Sequence, residues 1–435
     1  MSRIADIAAA LAGYDPKALG VDAVHAFLAR LAKPVAIADL ERIALRDALG
    51  RVLAEDIDSP LSVPPHDNSA MDGFAFDGEL LETANGASVS LRVVGTALAG
   101  APWHGALAAG DAVKIMTGAM MPAGLDTVIP LEFCRVEGST VHLPGDVLRR
   151  GDNRRLAGED LMQGKPALLR GEMISPAALG TVASLGLPMV PVMRRLRVAY
   201  FSTGDEILSL GEVPREGGVY DSNRYTVFGL LTRLGCEVID LGVVRDDPAA
   251  LESALRRAAR DADAIITSGG VSVGEADHTR AVMQRLGDMA FWRIAMRPGR
   301  PMAVGLIHTE DAGRWPAVLF GLPGNPVAVM VTFLAFVRPA LLQMMGCNAR
   351  CAAPPPLLKA RSLDSIRKKP GRTEYQRGRV HTVAGALPEV RIAGNQGSGV
   401  LSSMVEANGL VVLHHDQGSI AAGEWVDVMM FDGVV

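Results

Sequence analysis

The first sixty residues carry apolar side chains at helical spacing. Val24, Phe27, Leu28 and Leu31 lie three or four positions apart, and the segment LRDALGRVLAEDI at 45–57 repeats the pattern. Side chains with that spacing share one face of an α-helix. We therefore predict two amphipathic helices in this part of the chain.

The pattern then changes to short apolar runs interrupted by glycine and proline, as in VSLRVVG, DAVKIM and DTVIPLEF. Such runs predict a small β-rich domain at 61–149. In the later segment ISPAALG, Ser175 is a candidate N-cap with Pro176 at the first helical position. We predict that the chain returns here to its N-terminal helices, so that 1–60 and 150–192 form one discontinuous domain.

A repeated order of strand, glycine loop and helix follows. The segments LRVAYFSTGDEI, DADAIITSGGVSVGEAD, RPMAVGLI and AVLFGLPGNPVAVMVTFLAF each contain a near-continuous apolar run, which is typical of a parallel sheet buried on both faces. After the proline-rich CAAPPPLLK, the segments RTEYQRGRV, PEVRIAG, GLVVLHHD and EWVDVMMF are short and β-like.

These patterns predict an α/β multidomain fold. Its centre is an α/β domain with a parallel sheet at 193–347. The N-terminal helical part, the β-rich insert domain and a small C-terminal β-domain at 355–435 surround that centre.

Composition excludes two classes of partner. The chain has 435 residues, of which 49% are hydrophobic and 21% charged, and its net charge is −5. This acidic balance argues against a nucleic-acid-binding surface, because phosphate neutralisation needs a basic excess. The longest apolar run, Val327 to Val337, ends at Arg338-Pro339 and is shorter than the ~20 residues of a membrane span.

The N-terminus has Asp6 inside its apolar stretch and no clear cleavage site, so we expect a cytoplasmic protein with reduced thiols. Its four cysteines show no C-x-x-C pairing. Cys347 and Cys351 are spaced for one helix face, but no further zinc ligands lie nearby in the sequence.

Three loops at predicted strand ends are candidate anion sites. One is FSTGDEI, the second is TSGGVSVGEADHTR, and the third is GLPGNPVAV, in which Gly324 and Asn325 precede Pro326 at a helix start. Ligands of such sheets bind beyond the carboxyl ends of the strands, where glycines let backbone N–H groups approach an oxyanion.

Carboxylates follow the same strand ends. Glu206, Asp246, Asp277 and Glu275 at these junctions suit Mg²⁺, which prefers oxygen ligands and bridges phosphates. Alternatively, Asp277 caps its helix, and the pair at 246–247 opens the earlier helix DDPAALESAL.

Arginines add the opposite charge. Arg293, Arg297 and Arg300 lie in RIAMRPGRPMAVG. Guanidinium groups bind oxyanions through two parallel hydrogen bonds, which predicts an anion site here. The alternative is that the three arginines are solvated surface charges. A second basic group, RKKPGRTEYQRGR, lies in the C-terminal part. The concentration of cations in an acidic chain predicts a small anionic ligand.

The loop PPHDNSAMDGFAFDG at 64–78 presents Asp67, Asn68, Asp72 and Asp77 on a chain stiffened by prolines. The histidines are scattered, the pair at 414–415 falls in a predicted strand, and no Ser-His-Asp or H-E-x-x-H pattern occurs. We therefore favour catalysis by positioning, a metal ion and electrostatics over a side-chain nucleophile.

With these pieces in order, the chain resembles the molybdopterin molybdenumtransferase family, which includes the E domains of gephyrin and its plant relatives. The resemblance spans almost the whole chain. It is carried by ALGRVLAEDI, PPHDNSAMDGFA, VKIMTGAMMPAGLDTVI, FSTGDEI, ITSGGVSVGEADHTR, RPGRPMAVG, GLPGNPVAVMVTF and GRTEYQRGR.

The resemblance implies a four-part fold, an elongated homodimer and a molybdopterin-binding central domain. It also implies an enzyme that inserts molybdate into adenylylated molybdopterin and releases AMP with the help of Mg²⁺. A molybdopterin adenylyltransferase is an expected partner. Catalytic roles are implied for Asp67, Asp72, Thr117, Asp160, Glu206, Asp246 and Asp277, of which Glu206, Asp246 and Asp277 would share the metal.

Ligand-binding roles are implied for a second set, in which Arg293 and Arg297 would hold phosphate or molybdate. The set is Asn68, Thr203, Gly204, Ser268, Gly269, Gly270, Ser272, Gly274, Glu275, Arg293, Arg297, Pro298, Arg300, Gly324, Asn325, Pro326, Arg372 and Ser398. The first loop, with Asp67 and Asp72, would cover the ligand of the neighbouring subunit.

Two features depart from the family pattern. Lysines often stand where this chain has Arg293, Arg297 and Arg300, and an aromatic residue is expected where it has His66. Two other functions stay open. The α/β domain resembles stand-alone domains that adenylylate molybdopterin, and gephyrin's E domain also serves as a receptor-binding scaffold.

Overall fold

The computed structural model describes residues 3–32, 39–270, 277–309 and 315–432. The helices are α1 (Arg3–Ala9), α2 (Val21–Ala32), α3 (Glu79–Ala84), α4 (Pro176–Ser184), α5 (Ser222–Leu234), α6 (Pro248–Asp261), α7 (Asp277–Leu286), α8 (Pro326–Thr332), α9 (Arg338–Met344) and α10 (Ser402–Glu406).

The strands before the central sheet are β1 (Leu40–Ala44), β2 (Ile57–Asp58), β3 (Asn68–Ser69), β4 (Gly73–Phe76), β5 (Val89–Ala97), β6 (Asp111–Ile115), β7 (Thr127–Pro130), β8 (Arg135–Glu137), β9 (Thr140–Leu143), β10 (Arg154–Arg155), β11 (Pro166–Leu168) and β12 (Met189–Met193).

The remaining strands are β13 (Arg197–Thr203), β14 (Ile207–Leu208), β15 (Val219–Tyr220), β16 (Glu237–Val244), β17 (Ala264–Ser268), β18 (Gly287–Arg293), β19 (Met296–Arg297), β20 (Pro301–Ile307), β21 (Ala317–Leu322), β22 (Leu358–Ser362), β23 (Thr373–His381), β24 (Glu389–Ile392), β25 (Gly409–Leu413) and β26 (Trp425–Met430).

The two predicted N-terminal helices have different outcomes. Helix α2 forms and buries its apolar stripe, as predicted. The helix predicted at 45–57 is wrong, because only a 3₁₀ turn forms at its start. Gly50 adopts a φ of +72° there, and the backbone of Arg51 and Leu53 bonds to that of Ile174 and Glu172. Tertiary pairing thus overrides the helical pattern.

The chain returns to its N-terminal part after the insert. Strand β1 pairs antiparallel with β12, and β2 pairs with β11. Helix α4 begins as the sequence predicts, with the Ser175 hydroxyl accepting the backbone N–H of Ala178 at 3.2 Å. These pairings join the segments before and after the insert, as a discontinuous domain requires. The boundaries of that domain at 1–60 and 150–192 stay a prediction.

The insert is built around one sheet of six strands in the order β7-β4-β6-β5-β9-β8. Two groups of buried apolar side chains pack against it, one including Phe74, Phe76 and Ile129, the other Val113 and Ile115. Alternation along β6 explains this division, because neighbouring side chains of a strand point to opposite faces. The β-rich character predicted here is confirmed.

The central sheet has the order β16-β13-β17-β21-β20-β18. Its first four strands are parallel, and alternate residues enter two separate cores, as Tyr200 and Phe201 do. Strand β20, from RPMAVGLI, is antiparallel to both neighbours rather than parallel as expected. The connection from β18 at 294–300 is too short for the crossover that a parallel pair needs.

One long apolar helix lies in the core beside this sheet. It runs from Pro326 to Met344, and 83% of its most apolar window is buried inside the fold. Arg338-Pro339 does not end it. Residues Phe333–Val337 instead form a π-helical segment, which accommodates the missing N–H of the proline. This burial identifies it as a core helix.

The C-terminal part is a closed small barrel. Strands β23, β24, β22, β26 and β25 pair in turn, and β25 pairs again with β23. The four β-like segments predicted here are confirmed. His414 and His415 lie just beyond β25 rather than within a strand. The short strand β19 adds to the outside of β23 and links the barrel to the central sheet.

Candidate functional site

Three strand ends meet at one edge of the central sheet. In the parallel register, Ser202 of β13 lies beside Ser268 of β17, which lies beside Leu322 of β21. The loops that leave these strands therefore start side by side. This is the position at which sheets of this type bind ligands.

Glycines shape the second of these loops. Gly269 and Gly270 have φ angles of +89° and +66°. A Cβ atom on Gly269 would lie 2.3 Å from the carbonyl oxygen of Thr203, so no larger residue fits against the neighbouring strand end. The two glycines let the backbone turn closely over the end of β13.

A cavity of about 500 Å³, which we call the candidate cavity, opens over these loops. Thr203, Gly204, Gly269, Gly270, Gly324 and Asn325 line its sheet side. The Thr203 hydroxyl is buried and has no hydrogen-bond partner within the described chain. Buried hydroxyls are rarely left unpaired, so this one is available to a ligand in the cavity.

Cations line another side of the candidate cavity. Arg297 and Arg300 lie on the turn between β18 and β20, together with Pro298. The turn is anchored in two ways. The backbone of Arg297 belongs to β19, which pairs with barrel strand β23, and the N–H of Ile294 donates to the carbonyl of Arg300 at 2.7 Å. Guanidinium groups on an anchored turn suit a phosphate or similar oxyanion.

Carboxylates complete the lining. Glu206 follows β13 and Asp246 follows β16, and both border the cavity. The neighbouring Asp247 caps α6, accepting the N–H of Ala250 at 2.8 Å, so the predicted capping role belongs to it. Asp277 begins α7. Oxygen donors of this kind fit Mg²⁺ better than a softer metal, although the described residues contain no group of three candidate ligands.

The barrel contributes the last wall. Ser398 and Gln396 line the cavity, and the carbonyl of Ser398 accepts the N–H of Val327 at 3.1 Å. Buried Arg377 holds this loop by donating to the carbonyls of Asn395 and Gly397, each at 3.0 Å. Its burial and the nearby charge of Arg297 lower the pKa of the Arg377 guanidinium.

A second group of predicted site residues lies in what we call the loop cluster, formed by 63–72, 116–121 and 154–161. Backbone bonds join the three segments, such as Met121 N–H to Asp67 carbonyl at 2.8 Å and Gly158 N–H to Pro64 carbonyl at 2.9 Å. Asp67, Asn68, Asp72, Thr117 and Asp160 all belong to it. The structure thus brings these five together, and none of them lines the candidate cavity of the same chain.

The acids of the loop cluster are bonded within it. Asp72 accepts the backbone N–H and the hydroxyl of Thr117, each at 2.7 Å, and these bonds lower the pKa of its carboxyl. Asp67 accepts the N–H of Ala157 at 2.8 Å and lies 3.6 Å from an Arg154 nitrogen. The rigid loop noted in the sequence is therefore closed by its own carboxylates.

Comparison with known proteins agrees with this architecture. Three family models match in succession: "MoeA N-terminal region (domain I and II)" over residues 21–186, "Probable molybdopterin binding domain" over 199–343, and "MoeA C-terminal region (domain IV)" over 359–431. The chain is 40% identical over 392 residues to a molybdopterin molybdenumtransferase of Haemophilus influenzae, covering 90% of this chain and 94% of that protein. The chain belongs to the MoeA family.

Other MoeA relatives extend the match. A molybdopterin molybdenumtransferase of Nostoc is 37% identical over 398 residues, covering 90% of this chain and 88% of that protein. The crystal structure of a molybdopterin biosynthesis moeA protein from Pyrococcus horikoshii superposes with a TM-score of 0.77 at 27% identity, covering 95% of this chain and all of that one. The multidomain α/β fold with a small C-terminal barrel is thus that of the MoeA family.

Several residues predicted from the MoeA resemblance lie outside the candidate cavity. Ser268 is buried in a hydroxyl network with Tyr200 and Ser202. The Arg372 guanidinium pairs with Glu374 at 2.7 Å. Arg293 ends β18 and Pro326 begins α8, and neither borders the cavity. Ser272, Gly274 and Glu275 lie outside the described residues.

The cavity also contains residues that sequence reasoning missed. They are His278, Thr279, Gly299, Pro301, Pro323, Ala328 and Gln396. Of these, His278 and Thr279 follow Asp277 in TSGGVSVGEADHTR, which is one of the three candidate anion sites predicted from the sequence. Their place in that segment could have identified them as site residues. Gln396 and the supporting Arg377 come from the barrel. Arg377 lies within the quoted segment GRTEYQRGR, but nothing in that segment pointed to a contact with the loop at 395–398.

Proposed function

We propose that this chain is a molybdopterin molybdenumtransferase. It inserts molybdate into adenylylated molybdopterin and releases AMP, with Mg²⁺ as the divalent cation. Relatives at 37–40% identity bear the first part of that description as their name. The observation that carries the proposal is the candidate cavity, in which strand-end loops, two arginines, two carboxylates and a barrel loop meet.

The cavity suits a ligand with phosphates and a second oxyanion. Backbone groups at Gly269 and Gly270 and the unpaired hydroxyl of Thr203 can contact phosphate oxygens at the sheet edge. Arg297 and Arg300 supply charge for phosphate or molybdate. Since both lie on one turn, they can hold two anionic groups close together, which an exchange of AMP for molybdate requires.

Glu206 and Asp246, with Asp277, are the proposed magnesium ligands. Hard carboxylate oxygens beside a phosphate site favour this ion, and bound Mg²⁺ would neutralise charge on the phosphate and the leaving AMP. The residues of the chain orient the substrate and exclude water. Arginine in place of the lysines common at 297 and 300 keeps the charge and adds bidentate geometry.

We further propose that the protein acts as a cytoplasmic homodimer. The loop cluster exposes three apolar side chains beside its bonded acids, Met71, Met120 and Leu156, and exposed Met162 follows directly after it. Exposed apolar groups around a rigid polar loop suit contact with another molecule. In the proposed dimer, this cluster covers the candidate cavity of the neighbouring subunit and brings Asp67 to its ligand. A molybdopterin adenylyltransferase would supply the adenylylated substrate.

The test is to incubate purified protein with adenylylated molybdopterin, Mg²⁺ and micromolar molybdate. AMP release and molybdenum retained on the pterin should rise together, and both should fall sharply in Asp277→Asn and on removal of Mg²⁺. Asp416→Asn, a change at an exposed barrel residue outside the cavity lining, is the matched control.

Two other outcomes would replace the proposal. Release of pyrophosphate from ATP and molybdopterin would assign the chain as an adenylyltransferase. Tight binding of the adenylylated pterin without either product would assign it as a binding or scaffold protein. Sedimentation of the protein as a monomer at assay concentration would remove the role given to the loop cluster.

A further inference from the structure

Two cysteines share a turn at the end of the long core helix. Helix α9 ends at Met344, so Cys347 and Cys351 lie beyond it and not on a helix face as their spacing suggested. Cys347 is buried, whereas Cys351 is half-buried and lines a cavity of about 510 Å³ together with Arg338 and Glu172. One sulfur is therefore accessible from solvent and the other is not.

The turn is held firmly in place by Asn348. Its backbone N–H donates to the carbonyl of Gly171 at 2.9 Å, and its side-chain oxygen accepts the N–H groups of Arg350 and Cys351 at 3.1 and 3.0 Å. These bonds fix the cysteine-bearing turn against the 170–173 segment. The backbone that carries the two cysteines is thus anchored to the neighbouring segment.

The surroundings of the two sulfurs differ. The thiol of Cys347 and the backbone N–H of Met173 both lie close to the Cys351 sulfur. Burial lowers the pKa of the Arg338 guanidinium, and the two cysteines beside it act in the opposite direction. The donated hydrogen bonds and Arg338 lower the pKa of Cys351, against the opposing charge of Glu172, while the pKa of Cys347 is raised.

The other two cysteines have no such environment. Burial raises the pKa of Cys236 to about 12, and burial together with Glu132 raises that of Cys134. Cys134 is partly exposed, so it provides an internal comparison for a thiol of similar access whose pKa is raised rather than lowered by its surroundings. Thiolate character and access together determine which cysteine reacts.

We propose that Cys351 is a peroxide-reactive thiolate and Cys347 its resolving thiol, which makes this turn a site of reversible oxidation. The inference is independent of the proposed transferase function. It rests on the anchored turn at 347–351, which carries both thiols, and on the open cavity that Cys351 and Arg338 line together.

The chemistry needs a hydroperoxide as oxidant. The Cys351 thiolate attacks the terminal peroxide oxygen, the O–O bond breaks, and the alkoxide or hydroxide that leaves takes up a proton. Cys351 becomes a sulfenic acid. The Cys347 sulfur then attacks the Cys351 sulfur as its own proton and the sulfenic hydroxyl leave as water. Two thiols and one peroxide thus yield one disulfide, one alcohol or water, and one further water.

The first experiment uses the unmodified full chain. Hydrogen peroxide is added at neutral pH, remaining thiols are alkylated under denaturing conditions, and peptides are identified by mass spectrometry. We expect the peptide containing Cys347 and Cys351 to lose two hydrogen atoms and both alkylation sites before Cys134 or Cys236 changes, and dithiothreitol to restore it. Equal or faster oxidation of Cys134 would overturn the proposal.

Variants separate the two roles. Cys347→Ser should trap Cys351 as a sulfenic acid that dimedone labels, whereas Cys351→Ser should leave Cys347 unoxidised over the same time. Arg338→Gln should slow oxidation of Cys351 about tenfold. Without the nearby cation, the pKa of the Cys351 thiol should rise by about one, so a smaller fraction is present as the reactive thiolate. Cys134→Ser should oxidise like the unmodified chain.

Thermal unfolding of each variant checks that the turn still forms, and Cys351→Ala gives a second version of the thiol deletion. An Arg338→Gln chain that folds normally and oxidises at the original rate would remove the arginine from the proposal. Dimedone labelling of Cys347 in the Cys351 variants would reverse the assigned roles and overturn the proposal.

Discussion

The candidate cavity and the loop cluster both contain polar residues that the sequence points to, but the two regions use them differently. In the loop cluster, Asp72 is bonded twice to Thr117 and Asp67 is bonded to Ala157. In the cavity, the buried hydroxyl of Thr203 has no partner within the described chain. Polar groups bonded internally stabilise a conformation, whereas a buried group without a partner on a cavity wall is available to a ligand.

Residue type and position in a motif therefore do not distinguish a residue that binds a ligand from one that maintains a conformation. Within one chain, the carboxylates of the rigid loop hold its three segments together. Those of the sheet edge border open space. Substitutions in the two regions should therefore have opposite signatures, with activity affected first in the cavity and conformation affected first in the loop cluster.

The largest effect is expected for Arg297→Met. The change removes a guanidinium from the cavity wall, and loss of such a charge-assisted contact costs roughly 2–5 kcal/mol of transition-state binding. We expect kcat/KM for AMP release to fall about a thousandfold with little change in thermal stability. Arg257→Met, at an exposed position on α6, is the control and should retain full activity. Equal loss in both variants would contradict a specific role.

Arg377→Met should combine a stability loss with a functional one. The arginine is 1% exposed and donates to Ser403, Asn395 and Gly397, so its removal leaves buried acceptors without a donor. We expect about 3 kcal/mol of destabilisation in the barrel and a higher KM for molybdate, because the loop bearing Ser398 is released. Denaturant unfolding and steady-state kinetics measure the two effects.

Arg379→Met provides the matched control on the same strand, since that side chain is exposed. Its unfolding free energy should stay within about 0.5 kcal/mol of the original value. A stable Arg377→Met protein with an unchanged KM would show that the barrel loop needs no such support.

Thr203→Val should change ligand binding at the cavity without lowering the stability of the fold. The hydroxyl has no partner to lose within the described chain, so the folded state should be as stable as before or slightly more stable. If a ligand oxygen is its partner, KM for the adenylylated pterin should rise about tenfold, equivalent to roughly 1.4 kcal/mol. A clear fall in melting temperature without a change in KM would place the hydroxyl among the structural groups.

The smallest effect is expected for Thr117→Val, which keeps the backbone N–H to Asp72 and removes the hydroxyl bond. The pKa of Asp72 should rise towards its ordinary value of 3.8. Because the folded pKa is lowered, these bonds stabilise the protein above that value, and the stabilisation is lost as pH falls through the folded pKa.

The variant should therefore show a weaker dependence of stability on pH in this acidic range. Carbon-13 NMR titration of labelled aspartates measures the pKa, and thermal melts at acidic pH measure the stability. An unchanged Asp72 titration would mean that the backbone bond alone holds the carboxylate.

Elements governed by local rules could be predicted from the sequence. The apolar runs of β13, β17 and β21, the glycine loops after them and the short strands of the barrel have clear patterns and occur where expected. The N-cap at Ser175 followed from side-chain chemistry alone. Neighbouring parallel strands end at the same edge of a sheet, so the sequence also predicted that Thr203 and Gly269, at the ends of β13 and β17, lie close together.

Features decided by distant contacts could not be predicted. The 45–57 segment has helical spacing, but its backbone finds partners near 172–174 and 192. Antiparallel β20 depends on the length of the turn before it, and not on its apolar pattern. Gln396 and Arg377 reach the site because the barrel closes beside the sheet, a contact that no local motif encodes.

The short strand β19 has a mechanical consequence. The strands on either side of it in the chain, β18 and β20, belong to the central sheet, whereas β19 itself hydrogen-bonds to the barrel. The backbone of Arg297 is thus hydrogen-bonded to the barrel, and the chain on both sides of it continues into the central sheet. The place of this guanidinium on the cavity wall is consequently set by the barrel and the central sheet together, so a substitution that shifts either one also changes the cavity lining.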